Sequence, residues 1–325
     1  MRLDIDGRNC ELESGRSILD AVKKKGLDSI MLSDRPLAAQ IGGEVFNLRF
    51  TPKKDTQIHL LRYGEDMGRR VYERTLQFLF ILAMRKEFPR ARVCVRYSLG
   101  PGLFITVDGM EEPFNEEAAL KVETEMRRLV RLKLPLERRR ISIKEALSFY
   151  EQDGQADKAK LLKWRRFSYF DVYQIDGYMD YFYGEMAPDT SYADVFRVKY
   201  VHDGAVVLLM PRNDAPDVPS DYVDLPKLHA VFHQSDEWGK LMECATVNDL
   251  NTHIQNGTIR ELVRINEALH DRGYADIADK IVQKGAKAVL VAGPSSSGKT
   301  TSAHRISTQL RLQGCHPVML SLDDY

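Results

Sequence analysis

This sequence has no excess of charge, no long apolar run and no paired cysteines. Its 47 basic residues equal its 47 acidic ones, so the formal net charge over 325 residues is zero. That balance removes any global demand for a polyanionic partner and leaves only local patches to weigh. No apolar run is long enough to cross a bilayer. The start, Met1-Arg2-Leu3-Asp4-Ile5-Asp6, lacks the apolar centre of a signal peptide. Cys10, Cys94, Cys244 and Cys315 form no C-x-x-C pair, and scattered thiols of this kind read as reduced and cytoplasmic. Internal repeats and low-complexity stretches are also missing. The 43% hydrophobic and 29% charged residues are those of an ordinary globular chain, long enough for two or three domains.

Periodicity then divides the chain. Residues 1–62 alternate in the strand manner. Arg2 to Arg8 enters a turn at Asp6-Gly7, and Cys10 to Glu13 returns. Ser17 caps a helix from Ile18 to Lys25. Ala38 to Ile41, the Gly42-Gly43 turn, Glu44 to Phe46 and a strand Thr56 to Leu61 complete a small β-grasp-like module. Residues 63–225 read as α+β. A helix covers 65–87, with Val71, Thr75, Phe78, Leu79, Leu82 and Ala83 on one face. Strands follow at Ala91–Tyr97 and Gly102–Asp108, then a helix from Asn115 to Lys133. A strand at Leu136–Ile141, a helix at Ile143–Tyr150 and a hairpin around His202-Asp203-Gly204 come next. Residues 226–284 read as a helical connector, with helices at Leu228–Met242, Val247–Asn256, Ile259–His270 and Ala275–Gln283.

Residues 285–325 change character. Ala288-Val289-Leu290-Val291-Ala292 has the apolar composition of a buried parallel strand. Gly293-Pro294-Ser295-Ser296-Ser297-Gly298-Lys299-Thr300 follows, and fits the phosphate-loop pattern G-x-x-x-x-G-K-[ST]. The expected helix runs from Thr300 to Leu312. Gly293 and Gly298 let the backbone close around phosphate, and the helix start favours negative charge. Lys299 reaches the outer phosphates and the Thr300 hydroxyl can hold Mg²⁺. The expected binding set for ATP is Gly293 to Thr300 with Thr301. A second apolar run, Pro317 to Ser321, leads to Leu322-Asp323-Asp324-Tyr325. It would place a carboxylate beside the γ-phosphate.

Gly-Pro-Ser-Ser-Ser-Gly-Lys-Thr-Thr with Ser-Leu-Asp-Asp-Tyr resembles the opening of the phosphoribulokinase/uridine kinase family. The resemblance implies an ATP- and Mg²⁺-dependent transfer to the sugar hydroxyl of a uridine-like nucleoside, with Lys299 and Asp323 as catalytic residues. It also implies that the second Mg²⁺ carboxylate, the lid arginines and the acceptor pocket lie beyond Tyr325. The chain is then expected to be a fragment with little kinase activity.

Residues 1–62, with Ile41-Gly42-Gly43-Glu44-Val45, resemble the TGS module of threonyl-tRNA synthetases. Residues 63 to about 212, with Glu137 to Ser142 before Lys144-Glu145-Ala146, resemble their editing-type second additional domain. Together with the phosphate loop, this is the architecture of a bacterial nucleoside kinase family. The editing domain carries His-x-x-x-His and Cys-x-x-x-His pairs. The matching positions here are Arg74 and Phe78, then Phe182 and Met186, which implies no zinc-type site and no aminoacyl-tRNA hydrolysis. Hydrophobic filling around Phe78, Tyr181, Phe182 and Tyr183 is favoured over a surviving aromatic cleft.

His229 and His233 lack a third ligand partner and read as surface histidines. Arg127, Arg128, Arg131, Lys133, Arg138, Arg139 and Arg140 could meet RNA phosphates. Their flanking Glu123, Glu125 and Glu137 favour a solvated face. The leading expectation is a nucleoside kinase. The alternative is an RNA- or tRNA-binding regulatory protein with a nucleotide-sensing loop and an inactive editing domain.

Overall fold

The computed structural model of the protein describes residues 2–202 and 204–321. They belong to two compact units, one of residues 1–155 and 165–229 and one of residues 156–164 and 230–325.

The first unit opens with a five-stranded sheet. Strands β1 (Arg2–Ile5) and β2 (Arg8–Glu11) form a hairpin across Asp6 and Gly7. Both turn residues have positive φ, 48° and 80°, as the twist of a two-residue hairpin requires. Helix α1 (Ile18–Lys24) starts at a capping box in which Ser17 and Asp20 exchange bonds. Strands β3 (Ala38–Ile41), β4 (Glu44–Phe46) and β5 (Thr56–Leu61) complete the order β2-β1-β5-β3-β4. The β1–β5 pair is parallel and the others antiparallel. Ile18, Ala21 and Val22 of α1 join Leu3, Ile5, Ile58 and Leu60 in one core.

Helix α2 (Asp66–Glu87) buries the whole expected face and adds Tyr72, Leu76, Phe80 and Met84. A strand pair β6 (Arg92–Leu99) and β7 (Gly102–Asp108) follows. Helix α3 (Glu116–Leu132) is capped by Asn115, whose side chain accepts from the Ala118 amide. Next come β8 (Glu137–Ser142), α4 (Ile143–Gln152), α5 (Ala156–Leu162, in the second unit), β9 (Tyr169–Ile175) and β10 (Tyr178–Asp180). Strands β11 (Arg197–His202) and β12 (Ala205–Leu209) complete the order β11-β12-β7-β6, while β10-β9-β8 makes a second sheet. A short ribbon of β13 (Pro211–Arg212) and β14 (Ala215–Pro219), unforeseen from the sequence, closes the unit. Helices α2 and α3 and the two sheets share one continuous core that also takes in Leu32, Leu37, Leu61 and Tyr63.

The remaining helices are α6 (Pro226–Leu241), α7 (Val247–Gln255), α8 (Ile259–Gln283) and α9 (Lys299–Leu312). Two expectations need correction. Gly273 does not divide a helix pair, because α8 runs through it. A mid-helix glycine costs about 1 kcal/mol against alanine. Packing of α8 on α9 around Ala278, Ile306 and Leu310 offsets that cost. The expected strand Ala288–Ala292 pairs with no strand among the described residues, and Leu290 is 93% exposed. Pro317–Ser321 likewise joins no strand ladder among the described residues, with Val318 84% exposed. A strand exists through the ladder of its neighbours, so apolar composition alone does not make these runs strands. The described fold is a mixed α+β one, and the expected parallel sheet around the phosphate loop is not formed within it.

Candidate nucleotide loop and nucleic-acid interface

The phosphate-loop residues lie in the second unit, where the loop leads directly into α9. Gly298, in left-handed conformation with φ 79°, is the residue before the helix. A Cβ on Gly293 would lie 2.7 Å from Ser297 Oγ, so the loop closes tightly where the pattern demands glycine. The helix begins at Lys299, one residue earlier than expected, and its ladder opens with the Ser302 amide on Gly298 O at 2.8 Å. The amides of the first turn therefore face outward from the helix start. Pro294, Ser295, Ser296 and Ser297 are exposed, as are Thr300 and Thr301. Lys299 Nζ donates to Pro294 O at 2.7 Å, folding the loop on itself. These residues fit a polyphosphate. The tight turn and free helix start suit an anion, with the Lys299 ammonium at the same loop. Asp323 and Asp324 lie outside the described residues. Tyr274, Asp271 and Asp279 of α8 bind Ser302 and Arg305 of α9 and Gln313 just after it, and hold the two helices side by side.

The four positions matched to metal ligands come together in the first unit. Arg74 and Phe78 stand one turn apart on α2. The Phe78 ring packs 5.2 Å from that of Phe182 and 5.9 Å from that of Tyr178. Phe78 and Met186 are fully buried in the same core. The Ala187 amide donates to Thr75 Oγ1 at 3.0 Å, clamping this segment to α2. Phe78, Phe182 and Met186 thus fill the space with hydrocarbon. Tyr181 packs on Phe170 instead, and Tyr183 is 75% exposed. No group of three or more His, Cys, Asp or Glu side chains that could hold a metal ion occurs among the described residues. His229 is not a bare surface residue. Its ring meets those of His202 at 4.8 Å and Phe104 at 4.9 Å.

The basic stretch divides into two parts. On α3, Arg127 and Arg128 are paired with Glu123 and Glu125. On β8, an edge strand, Arg138 and Arg140 share a face with Tyr169 and Asp171 of β9, set by the register Arg140↔Asp171 and Ser142↔Tyr169. Arg140 lies 4.1 Å over the Tyr169 ring and bonds Asp171 at 2.8 Å. Arg138 bridges Asp171 and Glu185. Bonds from Arg140 and then Arg138 hold the Asp171 carboxyl below the usual range, against the opposing effect of burial. Exposed Phe167 stands 5.8 Å from Tyr169. Arginine forks and aromatic rings on an open sheet face are the elements that meet phosphates and unstacked bases. The sequence showed the basic run but not Tyr169 and Phe167 beside it. The alternation in Arg138–Arg140 and Phe167–Tyr169 was the available signal.

Over 194 residues, 59% of this chain, the sequence is 25% identical to a threonine--tRNA ligase of Clostridium kluyveri, of which it covers 30%. It is 27% identical over 175 residues to that of Carboxydothermus hydrogenoformans, covering 51% of this chain and 26% of the relative. Against the enzyme of Acetivibrio thermocellus the identity is 28% over 127 residues, 39% of this chain and 20% of the relative. The chain thus spans about three tenths or less of the length of the curated relatives it matches. No protein-family profile matches it. The chain therefore contains a threonyl-tRNA synthetase-like region. The same relatives overturn the kinase expectation, since they are named ligases rather than phosphotransferases. The uridine kinase assignment falls. A phosphate-loop motif specifies a phosphate cradle, not the acceptor of a reaction. No helix of the described residues is long and apolar enough to cross a membrane.

Proposed function

We propose that the protein is an RNA-binding regulatory protein, with tRNA as the RNA class, an inactive editing-like centre and a nucleotide-sensing phosphate loop. The observation that carries this reading is the likeness to threonine--tRNA ligases, taken with Arg, Phe, Phe and Met at the positions where ligands would be needed. A centre filled by Phe78, Phe182 and Met186 beside a guanidinium has no group to activate water. The β8–β9 face offers what RNA contact needs, with Arg138 and Arg140 toward phosphate and Tyr169 and Phe167 toward bases. Residues 1–62 act as a TGS-like β-grasp module. Gly293 to Thr301 bind ATP, with Lys299 on the outer phosphates and Thr300 on Mg²⁺. Nucleotide occupancy alters RNA affinity through different affinities of the two nucleotide states for RNA.

Fluorescence anisotropy with labelled tRNA tests this. Binding is expected at about 50 mM salt and weakens steeply as salt rises. Replacing Arg138 and Arg140 by glutamine lowers the affinity and flattens the salt slope. Lys299→Ala removes the effect of ATP on RNA binding while leaving binding itself. Absence of RNA binding at low salt would sink the reading, and so would hydrolysis of aminoacyl-tRNA by the chain.

A further inference from the structure

Arg74 does not behave like its neighbours on α2. Phe78, one turn on, is packed in hydrocarbon, so an apolar residue at position 74 would complete the filling. Instead a guanidinium is held half-buried in a defined pose. Its Nε donates to Glu185 O at 2.9 Å. Its plane lies against Gly184, where a Cβ would be 2.9 Å from Cζ and 3.0 and 3.1 Å from Nη2 and Nη1. Gly184 has φ +104°, a conformation other residues rarely adopt, so glycine both permits the turn and leaves room for the guanidinium.

The terminal nitrogens, by contrast, meet no acceptor among the described residues. The two nearby acids are engaged elsewhere. The Glu185 carboxylate takes the Tyr173 hydroxyl at 2.9 Å and Arg138. Glu73 accepts from Gln77 Nε2 at 3.1 Å. Burial pushes the Arg74 pKa down, and neither Glu73 nor Glu185 restores it. Burial likewise pushes the Glu73 carboxyl up. A half-buried guanidinium stays charged, so its Nη groups remain open as donors.

We propose that Arg74 is the anion-reading group of a small binding site that takes a phosphate monoester. The open Nη pair matches two phosphate oxygens in fork geometry. Arg70 lies close enough to act on the Arg74 charge and Arg138 is bound to Glu185 next to it. The fork of Arg74 with the nearby Arg70 charge suits a dianion better than a singly charged carboxylate. The shared chemistry could come from a free mononucleotide or from the phosphorylated end of an RNA. The site does not depend on the RNA-binding reading, because small anions alone probe it.

The test uses the full chain carrying Lys299→Ala, which silences the phosphate loop. Inorganic phosphate, AMP, a short 5′-phosphorylated RNA and acetate are titrated by calorimetry, with the Arg74 Nε–Hε resonance followed by NMR. Phosphate and AMP are expected to bind and to move the Arg74 resonance. Acetate binds about ten-fold more weakly or worse, as an anion of lower charge. Arg74→Gln removes phosphate binding, and Arg74→Lys, which keeps the charge but not the fork, loses most of it. Tighter binding of AMP than of the RNA makes a free nucleotide the ligand, and the reverse order makes it an RNA end. An unmoved Arg74 resonance, equal affinity in Arg74→Gln, or acetate as tight as phosphate overturns the proposal. If Arg74→Gln does not fold, the resonance in the chain that retains Arg74 decides.

Discussion

The two compact units hold themselves together by different means. The first has a continuous core with Tyr63, Tyr72, Phe78, Phe80 and Phe196 nearly inaccessible. Its polar groups are bonded across long sequence distances, as when Arg35 ties the loop at Ser29 and Ile30 to Ser191, Tyr192 and Asp194. The second has helices α6 and α7 with no buried residue and a small core of Ala278, Ile306 and Leu310. Its functional feature is a backbone conformation on an exposed loop. One unit presents side chains on a rigid scaffold, while the other presents amides and a lysine that burial hardly constrains.

The largest expected difference is in stability. Phe78→Ala opens a cavity in the first unit and costs about 3–5 kcal/mol. Leu310→Ala costs about 2 kcal/mol, the low end for leucine, because its small cluster can relax. The chain's two tryptophans, Trp164 and Trp238, both lie in the second unit. Tryptophan fluorescence in urea therefore reports that unit, and near-ultraviolet tyrosine dichroism reports mainly the first. The fluorescence transition is expected at lower urea. Coincident transitions would erase the contrast.

Arg35→Ala comes next. It strands the Asp194 carboxylate and frees the 29–35 loop, at a cost of about 3 kcal/mol in the first unit, read by the same dichroism. A smaller effect belongs to the loop. Gly298→Val forces a β-branched residue into φ 79°, a strain of about 1–2 kcal/mol. ATP affinity by calorimetry should fall about ten-fold or more, while the dichroism transition stays in place.

The smallest expected effect is a pH dependence at the start of α2. His59 contacts Glu65 at 2.7 Å and Asp6 at 2.9 Å. The bond to Glu65, then that to Asp6, raises its pKa above 6.5. A raised folded pKa means that the contribution is fully present below about 6.5, the unfolded value, and is lost as pH rises through the folded one. Half-exposed partners keep the effect small. The melting temperature of the first unit should fall slightly over that window, and His59→Gln should flatten the fall.

Local chemistry made much of the first unit legible. Asp6-Gly7, the Ser17–Asp20 box, Asn115 before α3 and the apolar face of α2 each announce an element through turn, cap or period. Shorter or less patterned pieces such as β13, β14 and α5 did not. The candidate sites were less evenly legible. Arg74, Phe78, Phe182 and Met186 could be named from the chain, but not that Arg74 would rest on Gly184 with its fork unmet. Tyr169 and Phe167 joined Arg140 only through the β8–β9 register.

By itself the sequence determined what depends on neighbours along the chain: the hairpin turn, the caps and the glycine-defined phosphate loop leading into α9. Only the tertiary structure decided what depends on partners distant in sequence. Packing against α9 carried α8 through Gly273. Without a ladder among the described residues, Ala288–Ala292 is no strand despite its strand composition. Position 74 became a held, half-satisfied guanidinium because Glu185 O, Gly184 and Tyr173, more than 90 residues away, surround it. Periodicity and propensity are local, whereas burial and hydrogen-bond satisfaction are set by whatever the folded chain brings alongside.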